Sequence, residues 1–277
     1  MNNPFIELNK KRGVLLAAHR GYYGGNIPFN SKPAFQIALN HDADIVELDI
    51  ERTADGKLFV LHPGTEPHII RLKDSIKKYP SDFIAQFKLS NDDGGETAHP
   101  ILRLEEALDF LKGKCIINLD KFWMNPEAIA KLVRERNMQD QVLLKISLKE
   151  DQIKDTEKYA PDMPLMPMVW TEDPCLELMK NFNVRYVGSE CLFTKDTDPI
   201  ASPEYIEAMH NAGKTVWGNA IMYNYRKELS GGHSDDNSLI EDPAIGWGWL
   251  ADRGFDIIQT DWLFQCDTYL KQTGRRK

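Results

Sequence analysis

Short apolar runs alternate with amphipathic segments along most of this chain, and that alternation limits the possible folds more than any single motif. The runs at residues 14–18, 44–51, 115–119, 142–146, 165–169, 184–188, 215–218 and 256–259 have the length and the Val, Ile and Leu content of strands. Residues 32–40, 104–111, 126–136, 148–159, 174–181, 203–212 and 244–252 read as helices between them. Strands that alternate with helices make βα units and a parallel sheet. About eight such units fit a chain of 277 residues, which favours a closed (β/α)8 barrel over an open sheet. An Asp55-Gly56 turn and an extra strand at 58–61 follow the second run. Residues 63–99 keep no βα rhythm. They read as a small insertion after the second barrel strand, with a helix near 72–78 and a polar stretch, SNDDGGETAHP. With no linker, repeat or low-complexity tract, the expectation is one domain over 1–277.

The stretch VELDIERTADGKLFVLHPG, 46–64, carries the chemistry. Side chains alternate faces along a strand, so Val46, Leu48 and Ile50 point one way and Glu47 and Asp49 the other. Two adjacent carboxylates raise at least one pKa unless a cation lies between them, and a hard metal ion with oxygen ligands is the simplest compensator. The plainer reading is the wet face of an antiparallel strand. The polar residues at other strand ends shift the balance: His19 and Arg20, His62, Asp120 and Lys121, Lys145, Glu190, Trp217 and Asn219, and Thr260 and Asp261. Barrel chemistry collects at such ends. Three carboxylates suit one divalent cation, Mg²⁺ or Ca²⁺. Two histidines can serve as acid and base, and Arg20 and Lys121 can hold a phosphate. Lys145 is expected to snorkel out of its strand, and Asp261 to cap the helix after the last strand. The remaining histidines are expected at the surface, with His68 near enough to His62 to keep in view.

The formal net charge of −8 argues against a nucleic-acid surface. Cys115, Cys175, Cys191 and Cys266 are far apart and form no CxxC, so they read as reduced thiols. The first residues lack the apolar core of a signal peptide, and no apolar run approaches membrane-spanning length. A cytoplasmic location is the default expectation. The absence of GxGxxG after the first strand argues against a dinucleotide site.

Four segments together resemble the glycerophosphodiester phosphodiesterase family: Leu16-Ala-Ala-His-Arg-Gly21, Ile27-Pro-Phe-Asn-Ser31, Ala43-Asp-Ile-Val-Glu-Leu-Asp49 and Asp55-Gly-Lys-Leu-Phe-Val-Leu-His62. The likeness is strong over about residues 14–64 and extends to 118–121 and the C-terminal VWGN and GFDIIQTDW. It implies a metal-dependent TIM barrel of the phospholipase-C-like (PLC-like) phosphodiesterase type. It implies His19 and His62 as the catalytic histidines, Glu47 and Asp49 as metal ligands, and Arg20 as a phosphate contact. The third ligand of that family is usually the Glu of a Glu-x-Lys motif. Here Asp120 and Lys121 are adjacent, and we assign them as ligand and phosphate-binding lysine. Pro28-Phe29-Asn30-Ser31 stands where the family usually has Pro-Glu-Asn-Thr, and Pro63 stands where an Asp usually follows the second histidine.

The expected reaction is cleavage of a small glycerophosphodiester to glycerol phosphate and an alcohol. In the resembling family a glycerol hydroxyl attacks first and water then opens a cyclic phosphate. We assign His19 as base and His62 as acid. Phe29, Lys145, Glu190, Trp217 and Asn219 are candidates for the substrate pocket. The alternatives are a lysophospholipase-D-like activity, for which Phe29, Phe83, Ile84, Phe87, Phe122 and Trp123 could line an apolar mouth, and a barrel that binds phosphate ligands without cleaving them. Isomerase or aldolase chemistry would need a Schiff-base lysine, for which only Lys145 is in place.

Overall fold

The structure is a computed structural model that describes residues 3–222 and 228–277. Eight parallel strands form a closed ring: β1 Leu15–Ala18, β2 Ile45–Arg52, β3 Ile116–Asp120, β4 Val142–Ser147, β5 Pro164–Trp170, β6 Gly188–Leu192, β7 Thr215–Asn219 and β8 Ile257–Thr260. Closure is direct, because β1 pairs with β8 through Leu15↔Ile257 and with β2 through Ala17↔Ile45. The chain is a TIM barrel, as its alternation of runs implies.

Period-two alternation sorts the strand residues. Leu15, Ala17, Ile45, Leu143, Met166, Trp217 and Ile257 pack inside the ring, with Phe5 of the N-terminal helix Pro4–Arg12 beneath them. Leu16, Ala18, Val46, Leu48 and Ile50 face outward into the layer shared with the helices. Glu47 and Asp49 therefore point into the barrel. They are 2 % and 1 % exposed, which rules out the wet-face reading of this strand. Helices Lys32–Asn40 and Pro203–Asn211 begin where Ser31 and Ser202 accept a backbone N–H and a proline enters the first turn.

The sequence reading misplaces one barrel strand. The run at 184–188 supplies only a two-residue pairing, Arg185–Tyr186, beside β5. The barrel strand is Gly188–Leu192, disguised by two buried polar residues: Glu190 turns inward to Lys145, and Ser189 turns outward to the Tyr186 hydroxyl. Gly188 is needed there, since a Cβ would come within 2.0 Å of the Thr215 carbonyl oxygen.

Residues 63–99 form short pieces instead of one helix at 72–78. Helix Glu66–Ile69, a 3₁₀ turn Ile76–Lys78 and helix Ser81–Ile84 lead to a hairpin of Lys88–Ser90 with Glu96–Pro100. Together with strand Leu58–Val60, which lies antiparallel on β2, this arm encloses an apolar cluster that includes Phe29, Phe59, Leu61, Ile76 and Ile84. Between β7 and β8 the helix Asp235–Ile240 and the helical stretch 244–253 follow residues 223–227, which lie outside the described part. Helix Leu263–Gln272 closes the chain's last βα unit. The four cysteines are free thiols, three of them buried. No helix among the described residues is long and apolar enough to cross a membrane.

Candidate active site

A cavity of about 250 Å³ opens at the C-terminal strand ends and is lined by His19, Glu47, Asp120, Lys121, Lys145 and Glu190, among others. The β2–β3 register, Glu47↔Asn118 and Asp49↔Asp120, sets three carboxylates side by side. Oxygens of Glu47, Asp49 and Asp120 lie within 4.8 Å of one another. Burial, then the neighbouring Asp49, pushes the Glu47 carboxyl up to about 8. Burial also works against the charge of Asp49, but Arg20, His62 and Lys121 outweigh it and hold Asp49 below the ordinary carboxylate range. One Asp120 oxygen, Oδ1, is buried without a hydrogen-bond partner. An all-oxygen donor set, an unsatisfied carboxylate oxygen and a carboxyl that resists ionisation fit one hard divalent cation.

Asp120 and Lys121 both reach this spot although adjacent strand residues point to opposite faces. Lys121 resolves the conflict by ending the strand in the left-handed region, φ 63°. Its Nζ lies 2.5 Å from Asp120 Oδ2 and 4.0 Å from Asp49 Oδ1. A left-handed turn thus supplies what an intervening residue supplies in a Glu-x-Lys motif. The turn after β1 is built alike. Arg20 has φ 57°, its backbone N–H donates to Glu47 Oε2 at 2.8 Å, and its Nε lies 3.0 Å from Asp49 Oδ2. Gly21 follows at φ 85°, where a Cβ would strike Ala34 at 2.8 Å.

The histidines approach from different structures. His19 ends β1, and its Nδ1 donates to Asp261 Oδ1 at 2.8 Å. Burial lowers its pKa and Asp261 raises it; with the hydrogen bond and Glu47 added, the net shift is upward despite Arg20. His62 stands on the arm, with Nε2 3.9 Å from Asp49 Oδ1. Its Nδ1 lies 2.9 Å from the Pro63 carbonyl oxygen, which can only accept, so Nδ1 carries the proton and Nε2 the lone pair. Burial, aided by Arg20 and Lys121, moves His62 downward despite Asp49. Environments that push two titratable groups apart mark them as acid and base candidates.

The sequence reading places Asp261 at a strand end but gives it the wrong role. It does not cap the following helix, whose N-cap is Trp262 with no side-chain bond. It pairs with His19 and accepts from the Tyr23 hydroxyl at 3.2 Å. The available signal was its place one residue beyond a strand end, as for His19 and Lys121. Asn30 was also passed over as a site residue, and its Nδ2 donates to Asp49 Oδ2 at 2.9 Å.

Lys145 does not snorkel. It is 1 % exposed and turned inward, with Nζ bonded to Glu190 and 3.6 Å from the centre of the Trp217 ring. Glu190 in turn accepts from Asn219 Nδ2. Lys145, Glu190 and Asn219 line the cavity, and Trp217 packs below with the interior cluster. Phe29 is packed into the arm's cluster with the Arg20 guanidinium 5.2 Å above its ring, so it supports the site and does not line it. Phe122 is fully buried in the outer core, whereas Trp123 reaches the cavity wall. His68 is exposed, and it lines no part of the cavity.

A family model described as a domain of unknown function (DUF4996) matches residues 165–270. A glycerophosphodiester phosphodiesterase of Bacillus altitudinis is 35 % identical over 106 residues, 37 % of this chain and 43 % of that protein. One from Caldanaerobacter subterraneus is 28 % identical over 165 residues, 55 % of this chain and 65 % of that protein. The matches thus span less than two thirds of either relative. Among solved structures, a glycerophosphoryl diester phosphodiesterase from Parabacteroides distasonis superposes with a TM-score of 0.79 at 21 % identity, covering 95 % of this chain and 87 % of the other. An Oleispira antarctica phosphodiesterase in complex with the product sn-glycerol-3-phosphate gives 0.69 at 16 % identity, covering 94 % and 97 %. In sequence the chain resembles relatives named glycerophosphodiester phosphodiesterases, and it shares their barrel fold.

Proposed function

We propose that this chain is a metal-dependent glycerophosphodiester phosphodiesterase. The observation that carries this reading is the meeting of two cationic side chains and two oppositely tuned histidines around one cluster of three carboxylates. Glu47, Asp49 and Asp120 would hold one divalent cation, Mg²⁺ or Ca²⁺. When bound, it would supply positive charge against the negative charge that builds on the phosphate oxygens.

The chain's own groups account for the rest. Arg20 and Lys121 bind the phosphate oxygens and neutralise them in a low-dielectric site. His62, neutral and with its Nε2 lone pair free of Pro63, takes the proton of the attacking hydroxyl. His19, kept protonated by Asp261, gives a proton to the departing alkoxide oxygen. This assignment reverses the one made from the sequence, with His19 as base and His62 as acid, and it rests on Asp261. Asn118 Oδ1 and Asn219 Oδ1 are buried acceptors on the cavity lining without partners, and they suit hydroxyls of a glycerol moiety. A second reading, cleavage of a lysolipid, draws support from the apolar wall of Trp123, Met168, Trp170, Leu192, Ile221 and Leu229.

The test is phosphodiester cleavage by purified protein, supplied with glycerophosphocholine, glycerophosphoethanolamine and a lysolipid, each with Mg²⁺, with Ca²⁺ and with chelator. The expected result is metal-dependent release of glycerol phosphate. Replacement His62→Ala should slow it by about 10²–10⁴-fold, the usual worth of one general acid or base. Faster turnover of the lysolipid would select the second reading. Tight metal binding with no turnover of any diester would sink both.

A further inference from the structure

Asp235 is 2 % exposed and opens the helix Asp235–Ile240 in the crossover between β7 and β8. Its two carboxylate oxygens have separate partners. Oδ1 accepts from the Trp247 indole N–H and from the Thr260 hydroxyl, each at 2.6 Å. Oδ2 accepts from the backbone N–H of Asp261 at 2.8 Å. Asp261 in turn holds His19. The crossover is fixed at this point as well by the Asp235 N–H, which donates to the Ala220 carbonyl at 2.6 Å. A staple between helix and strand needs only the first oxygen. The second oxygen is spent on the one backbone group that sets where the Asp261 side chain begins.

We propose that Asp235 is a positioning residue: through its Oδ2 it fixes Asp261, and through Asp261 it fixes the orientation and protonation of the His19 imidazole. The groups that face His19 are Asp261, Arg20, Glu47 and Asp49, and those that face Asp261 are His19, Arg20, Tyr23, Asp92 and Asp235. Of these, only Asp235 bonds the Asp261 backbone.

The two oxygens can be separated experimentally. In Asp235→Asn the amide oxygen can still accept from Trp247 and Thr260, but the amide nitrogen then meets the Asp261 N–H, donor against donor. In Trp247→Phe the staple is weakened and the Asp261 contact stays. The first readout is the NMR titration of the His19 ring, which needs no substrate. Asp235→Asn should move it to lower pH, because Asp261 raises the His19 pKa and a displaced Asp261 raises it less. Trp247→Phe should lower the melting temperature and leave the His19 titration in place.

The kinetic arm rests on the reading of His19 as acid. In Asp235→Asn, kcat should fall about tenfold, the worth of one hydrogen bond involving a charged group, with KM nearly unchanged. A His19 titration unmoved in Asp235→Asn, or moved equally in Trp247→Phe, would overturn the proposal. If no phosphodiester is cleaved by the unaltered protein, the functional reading fails while the titration still decides the role of Asp235.

Discussion

At the scale of the residue, function turns on charges that burial has brought together. His19 and Asp261 form the clearest pair. Because the His19 pKa is raised in the folded state, its protonated form persists above the ordinary value of about 6.5, and the pair's contribution to stability is present below that value and lost as pH rises through the folded pKa. His62 is displaced the other way. Turnover should therefore be bounded on the acid side by His62 and on the alkaline side by His19. Asp261→Asn should draw the alkaline limb of the kcat profile to lower pH and leave the acid limb near its place. An alkaline limb that stays put would remove Asp261 from the mechanism. Asp120→Asn tests the cation site, and calorimetric titration should show affinity for Mg²⁺ or Ca²⁺ reduced at least about tenfold. Most of these residues can be found in the chain because strand periodicity and strand ends mark them. Asp261 escaped because an Asp before a helix has a plainer use as a cap, and nothing local says that His19, 242 positions away, is its partner.

At the scale of the element, legibility follows polarity. Residues 32–40 and 104–111 were read with the boundaries the structure gives them, since each carries one apolar face and a sharp start. β6 was misread because Glu190 on its interior face and Ser189 on its outer face stand in place of aliphatic residues, the first of them a cost of bringing chemistry into a barrel. The hairpin of 88–100 was hidden for a related reason: Leu89 is its one large apolar residue among polar and small ones, and it is spent on the arm's cluster. The close approach at Gly188 gives a sharp test. Gly188→Ala places a Cβ 2.0 Å from the Thr215 carbonyl and should cost about 3 kcal/mol or more, read from urea unfolding. A loss under 1 kcal/mol would mean that β6 and β7 separate more easily than their register implies.

At the scale of the whole molecule, the two ends of the barrel do different work. The end opposite the cavity is tied by Arg276, whose guanidinium is fully buried between Asp44 and Asp267 and also donates to the Val14 carbonyl. Arg276→Ala removes the buried cation between Asp44 and Asp267, which keep only Arg12 and Lys271 at their edges, and should cost about 3 kcal/mol in urea unfolding. The neighbouring Arg275→Ala breaks a surface pair with Asp252 and a contact with the Tyr269 ring, and should cost about 1 kcal/mol or less. Equal losses would show that Arg276 is not the tie. The cavity end is joined differently. His19 belongs to the ring itself, whereas His62 stands on the arm, which has its own small apolar cluster and reaches the ring through a three-residue strand on β2. The reacting pair thus straddles a joint between a hoop of strands and a bracket with a small core of its own. On slow heating, turnover should fade before the circular dichroism of the barrel changes, because the bracket can swing its imidazole away while the hoop stays whole.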